Sequence, residues 1–251
     1  DVIVQNGFAA GLLPWAMSNY GRLVELDGSN VLGVYSGGST DAPADPNTWV
    51  ADTDYRIVAG SFPSSTLNND LQLASLMGYY GGAATLTIAS GKTLTLTHGI
   101  LGLGRTGGVT SMTLTGGTLT TTAGTLYING GPTPCSIDID SEISGNFDVV
   151  IGGSGATPQF GGSASNTYNG MTYVVGGSLA LIKDAASVPA IPDDLVIVGG
   201  EVEFAVGGST RPQQIARNAD ITIEELGTLE GGGNAGQCDF GGIITINGGA
   251  F

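Results

Sequence analysis

Carboxylates are the side chains in this sequence whose spacing first suggests chemistry. Asp138, Asp140 and Glu142 alternate along one segment, and Glu201 and Glu203 along another. Residues two apart on an extended strand share a face, so each set places acids side by side. Two carboxylates roughly 5 to 9 Å apart could divide the work of glycoside hydrolysis. Outward positions of an acidic strand show the same alternation when they are merely solvated, and that is the reading taken here. Only seven Lys and Arg are present. Lys92, Arg105, Lys183, Arg211 and Arg217 are scattered and form no cluster to grip an acidic sugar.

The single histidine, His98, lies in a Thr-rich run with no cysteine nearby, so the usual zinc site cannot form around it. A serine triad would need this His and a nucleophile elbow, and Gly152-Gly153-Ser154-Gly155 reads as a chain corner instead. Asp41, Asp45, Asp52 and Asp54 fall in a Pro-containing loop, and their hard oxygens suit calcium. Neither an EF-hand pattern nor a Gly-Gly-x-Gly-x-Asp repeat is present, and the Gly231 to Gly236 run lacks the aspartate. The sequence therefore assigns no catalytic, cofactor-binding or metal-ligating residue, and no cofactor is expected.

Composition narrows the classes. Over 251 residues the net charge is −15, charged residues are 12%, apolar residues 41%, and there are 44 glycines. So acidic a chain lacks the Lys and Arg that draw proteins to phosphate, which argues against nucleic acid and anionic membrane as partners. The apolar share is enough to build a core. No apolar run reaches the roughly 20 residues of a membrane helix; Phe8 to Met17 is the longest candidate and is short. No signal-peptide pattern is visible at the N-terminus.

Period two dominates. Thr85-Leu86-Thr87-Ile88, Thr93-Leu94-Thr95-Leu96-Thr97, Ser111-Met112-Thr113-Leu114-Thr115, Ser136-Ile137-Asp138-Ile139-Asp140 and Asp220-Ile221-Thr222-Ile223 each alternate apolar and polar residues. That is the half-buried strand pattern. Most such strands run into a Gly-containing corner and a second short strand. Units starting at Tyr173, Leu195, Ile221 and Ile244 lie 22, 26 and 23 residues apart, and upstream Leu86, Met112 and Ile137 lie 26 and 25 apart. A strand-only period of this length predicts a solenoid, here a right-handed parallel β-helix over residues 61–251. A β-sandwich also has many short strands but does not repeat its sequence. The inward positions should be Leu86, Ile88, Met112, Leu114, Ile137, Ile139, Leu195, Ile197, Ile221, Ile223, Ile244 and Ile246. Residues 1–60, richer in aromatics and poorer in Thr ladders, read as an irregular N-terminal cap or side excursion. Cys135 and Cys238 would stand about four coils or about 20 Å apart at ordinary strand spacing, too far for a disulfide. Both are expected to be unpaired and buried.

Asn166-Thr167-Tyr168-Asn169-Gly170-Met171-Thr172-Tyr173-Val174-Val175-Gly176-Gly177-Ser178-Leu179-Ala180-Leu181 resembles the autotransporter-associated β-strand repeat, with Met171 where that repeat usually has a second Gly. Gly11-Leu12-Leu13-Pro14-Trp15-Ala16-Met17 with Asp27-Gly28-Ser29-Asn30, and Leu114-Thr115-Gly116-Gly117-Thr118-Leu119-Thr120, look like segments of the same long bacterial proteins. The resemblance implies a secreted or surface-displayed passenger. The expected function is a non-enzymatic stalk, adhesin or filament-forming unit, extracellular or on a bacterial cell surface. Its partners would be cell-surface or polysaccharide contacts. The alternatives are a polysaccharide lyase or hydrolase on the same fold, and a virus tail or coat component. The strand Ile243-Ile244-Thr245-Ile246 is followed only by Gly248-Gly249-Ala250-Phe251, so the last coil should be uncapped. Its edge would be met by continuation into further repeats or by end-to-end self-association.

Overall fold

Each short alternating strand has one apolar face to bury and two edges of backbone groups to satisfy. In the computed structural model of this chain both needs are met by coiling. The structure describes residues 11–17, 23–26, 32–34, 40–58, 62–79, 82–104, 110–130, 135–153, 157–184, 188–204, 213–231 and 239–251. The chain begins with β1 (Gly11–Met17), β2 (Leu23–Leu26), β3 (Leu32–Val34), β4 (Thr40–Asp41), β5 (Asp54–Val58) and β6 (Ser65–Leu67). It continues through β7 (Leu71–Tyr79), β8 (Gly82–Ile88), β9 (Thr93–Gly104), β10 (Thr110–Thr115), β11 (Thr118–Thr121) and β12 (Thr125–Gly130). Next come β13 (Ser136–Ile139), β14 (Glu142–Ile143), β15 (Asp148–Gly153), β16 (Thr157–Phe160), β17 (Thr172–Val174) and β18 (Ser178–Leu181). The last are β19 (Leu195–Ile197), β20 (Glu201–Phe204), β21 (Ile221–Glu224), β22 (Thr228–Gly231) and β23 (Ile244–Asn247).

Two long parallel sheets result. One runs β6-β8-β10-β13-β16-β18-β20-β22, the other β4-β5-β7-β9-β12-β15-β17-β19-β21-β23, with β11 and β14 joined to the latter through β9. Every second or third strand in sequence is a neighbour in space, as stacked coils require. The expected parallel β-solenoid is therefore what the chain forms. Strand β9 turns a corner within itself: Thr93–Leu96 pairs with β11, whereas Ile100–Gly102 pairs with β12.

Register stacks like on like. Leu86, Leu114, Ile139, Phe160, Leu181 and Phe204 follow one another across the first sheet. Ile128, Ile151, Val174, Ile197, Ile223 and Ile246 do so across the second. Of the expected inward residues, Leu86, Ile88, Met112, Leu114, Ile137, Ile139, Leu195, Ile197, Ile221 and Ile223 are buried. Ile244 and Ile246 are not: they are 37% and 50% exposed. Inward pointing buries a side chain only where the next coil covers it, and among the described residues β23 has none.

The acidic composition has a structural use at one set of corners. Asp148, Asp194 and Asp220 accept the backbone N–H of Met171, Asp220 and Ile243 in the following coil, at 2.9, 2.8 and 2.7 Å. Asp70 accepts from Thr93 in the same manner at 2.9 Å. Each carboxylate thus satisfies a donor where the ladder would otherwise be interrupted.

Near the N-terminus, β1, β2 and β3 form an antiparallel sheet, and β1 runs beside β9 and β12. This segment is a side sheet. The parallel ladder itself starts before residue 61, because Thr40 and Asp41 of β4 already pair with Tyr55 and Arg56 of β5. The first coil is filled by Trp49, whose ring packs 5.1 Å from Tyr55 and 5.8 Å from Phe62, with its indole N–H donating to the Pro43 carbonyl.

Gly116 shows what the corners demand. Its φ is +70°, and a Cβ there would meet the Ile88 carbonyl oxygen at 2.4 Å. Gly116→Ala should lower unfolding free energy by about 2 kcal/mol or more, combining a left-handed backbone cost with the clash. Gly124→Ala, where a Cβ would meet nothing within 4 Å, should leave stability unchanged within about 1 kcal/mol. Denaturant unfolding of the two variants tests the contrast.

Candidate functional site

The sequence-predicted chemistry disperses on the coil. β13 ends at Ile139, so Asp140 and Ser141 form a corner and Glu142 opens β14 on the next face. Asp138, Asp140 and Glu142 therefore do not line a single strand face, and all three are half-buried. The flanking coils cover them, so they are not simply solvated. Burial, with the Asp140 charge second, raises the pKa of Asp138, against a hydrogen bond from Thr113. Burial also raises that of Asp140, followed by the Asp184 charge and opposed by Lys183. One Asp138 carboxylate oxygen has no hydrogen-bond partner among the described residues.

Glu201 and Glu203 project from β20, and Glu230 of β22 stands in register with Glu203. A hydrogen bond with the Glu201 carboxyl, reinforced by its charge, raises the pKa of Glu230. The acids of the N-terminal loop go to separate partners. Asp41 pairs with Arg56, Asp45 caps the turn at Asn47, and Asp54 accepts from the Ser75 hydroxyl at 2.6 Å. Among the described residues no three His, Cys, Asp or Glu side chains gather in a way that could hold a metal ion.

The same Asp54 lies 3.8 Å from His98 Nδ1, so Ser, Asp and His do meet. The order is wrong for a nucleophile: Ser75 donates to the carboxylate, not to the imidazole, and its hydroxyl is buried. Cys135 is a buried free thiol, and Cys238, Arg105, Arg211 and the Gly232 to Gly236 run lie outside the described residues. Arg217 pairs with Asp239 at 2.7 Å.

Two features stand out, and only the first was missed in the linear reading. The first is a polar column inside the solenoid, formed by Ser141, Asn166, Lys183 and Gln214, all buried. Asn166 Oδ1 accepts from the Ile143 N–H at 3.0 Å and from Lys183 Nζ at 3.2 Å, while its Nδ2 donates to the Ala190 carbonyl at 2.7 Å. Gln214 Oε1 accepts from the Lys183 N–H at 2.8 Å. Burial lowers the pKa of Lys183 to about 8, against the pull of Asp140, Glu142 and Asp184. The Ser141 hydroxyl has no partner among the described residues. A signal existed: Asn166 and Gln214 fall at matching points of repeats two coils apart, with Ala190 between them. It could not be separated from ordinary loop polarity in one dimension.

The second feature is the C-terminal coil. Ile243 and Phe251 are 67% and 68% exposed beside Ile244 and Ile246, and Leu226 is 78% exposed near them. β23 is the last strand of its sheet, with one edge on β21. Beyond it Ala250 accepts from the Leu229 N–H and donates to the Gly227 carbonyl, starting a further turn against β22.

The Asp138 environment makes a pH prediction. Its raised pKa means that the charged form disfavours the fold above that pKa, and that this cost vanishes as pH falls below the unfolded value. Asp138→Asn should therefore stabilise at pH 7, by less than about 1 kcal/mol because the group is only half-buried. The gain should shrink toward pH 4. Melting midpoints at the two pH values check it; an equal difference at both would contradict the charge-burial account.

Comparison of the chain with protein-family profiles, curated proteins and solved structures gave no match.

Proposed function

We propose that this chain is a structural solenoid, a stalk or adhesin segment of a cell-surface or secreted protein, whose C-terminal coil is a platform for a further parallel β-coil. The observation that carries this reading is at β23, whose backbone, among the described residues, ladders along one edge only, with β21, beside exposed Ile243, Ile244, Ile246 and Phe251. Such an edge is a template for another strand. The opposite end differs, since Trp49, Tyr55 and Phe62 fill the first coil. A contact between unlike ends propagates into a filament rather than closing.

The incoming coil is supplied by a following repeat of the same polypeptide or by the next copy. The resemblance of residues 166–181 to the autotransporter-associated repeat supports the surface setting. Either source of the coil leaves the 251-residue chain adhesive at this end.

Sedimentation velocity across a concentration series is the test. The chain should associate with rising concentration, and Ile244→Lys with Ile246→Lys should abolish that association. Unfolding free energy should stay within about 0.5 kcal/mol for these exposed positions. A chain that stays monomeric at every concentration overturns the platform reading. The size of the polypeptide in its source separates the two suppliers: much above 25.1 kDa for continuation, 25.1 kDa in fibres for self-assembly.

A further inference from the structure

The Lys183–Asn166 pair has a geometry that its structural role does not require. We propose that the two side chains become joined by an intramolecular isopeptide bond, Lys183 Nζ to Asn166 Cγ, with release of ammonia. The amine is placed 3.2 Å from the amide oxygen, both residues are buried away from water, and the amide is clamped at both ends by backbone groups of other coils. The inference is independent of the platform reading.

The step balances without an added reagent. A neutral Lys183 Nζ gives its lone pair to Asn166 Cγ, and the amide oxygen takes the developing negative charge. The Ile143 N–H already donates to that oxygen, so a fixed donor meets the charge where it forms. A proton leaves Nζ and reaches Nδ2, the C–Nδ2 bond breaks, and ammonia departs. The products are one secondary amide and one ammonia. One local condition favours the step. Burial lowers the lysine pKa to about 8, so a usable fraction of the amine is neutral near physiological pH.

Hydrolysis would return a charged lysine and a charged carboxylate to a dry interior. The bond would close a short loop between neighbouring coils and lock their stacking.

Mass spectrometry of the intact, reduced 251-residue chain decides the question. The expected result is a mass about 17 Da below the sequence value, one ammonia for one bond. The deficit must also map to this pair. Cyanogen bromide cuts after Met171, which separates Asn166 in fragment 113–171 from Lys183 in fragment 172–251. Under reducing conditions the two fragments should remain joined, and trypsin should fail to cleave at Lys183. Lys183→Gln, which adds no cyanogen bromide site, should restore the full mass and release the fragments. Separate fragments from the unmodified chain overturn the proposal, whether or not the variant folds. A deficit that maps elsewhere, for example to a ring-closed Asn169-Gly170, overturns it as well.

Discussion

The parallel backbone ladder between coils is the interaction on which everything else in this molecule depends. Each strand both donates to and accepts from the coil on either side, about 4.8 Å away. Once that spacing and register are set, side chains have no freedom to choose neighbours. An apolar residue stacks on the equivalent residue of the coil below, as Leu86, Leu114, Ile139, Phe160, Leu181 and Phe204 do. A one-residue slip would turn every one of these outward.

The ladder also governs electrostatics. A chain with charge −15 would be expected to repel itself, yet several of its aspartates are tied to structure. Asp70, Asp148, Asp194 and Asp220 accept N–H groups from the next coil at the corners, where strand pairing lapses. Elsewhere the same close stacking covers acids or brings them together. Burial, ahead of any neighbouring charge, raises the pKa of Asp138 and of Asp140, and the Glu201 carboxyl, brought near by the stacking of coils, raises that of Glu230. Stacking therefore makes carboxylates stabilising where a donor faces them and costly where they are covered or meet another carboxylate.

Inside the coil the ladder creates a dry environment that tolerates polarity only when it is paired. Asn166 and Gln214 answer this by binding backbone groups of adjoining coils, and Lys183 is held among them. The column links four successive coils through side chains, in addition to their backbone bonds. At β23 the inward apolar residues of the other coils recur, but among the described residues no further coil covers them.

Much of this architecture was legible in the residues alone. Alternation of Leu or Ile with Thr states which face is buried, and the 22- to 26-residue spacing states that the strands recur as coils, because both are local or periodic properties. Ten of the inward positions named from that pattern are buried. What the tertiary structure alone decided is which residues meet. Lys183, one of several scattered cations in the sequence, sits beside Asn166 because it lies earlier in the coil that places Ala190 against Asn166, and its long side chain reaches across the interior. Asp54, Ser75 and His98 converge through register across three coils, in an order no motif specifies. The exposure of Ile244 and Ile246 follows the same rule. Alternation sets the direction in which a side chain points, but burial requires a neighbour, and a neighbour is a property of the stack.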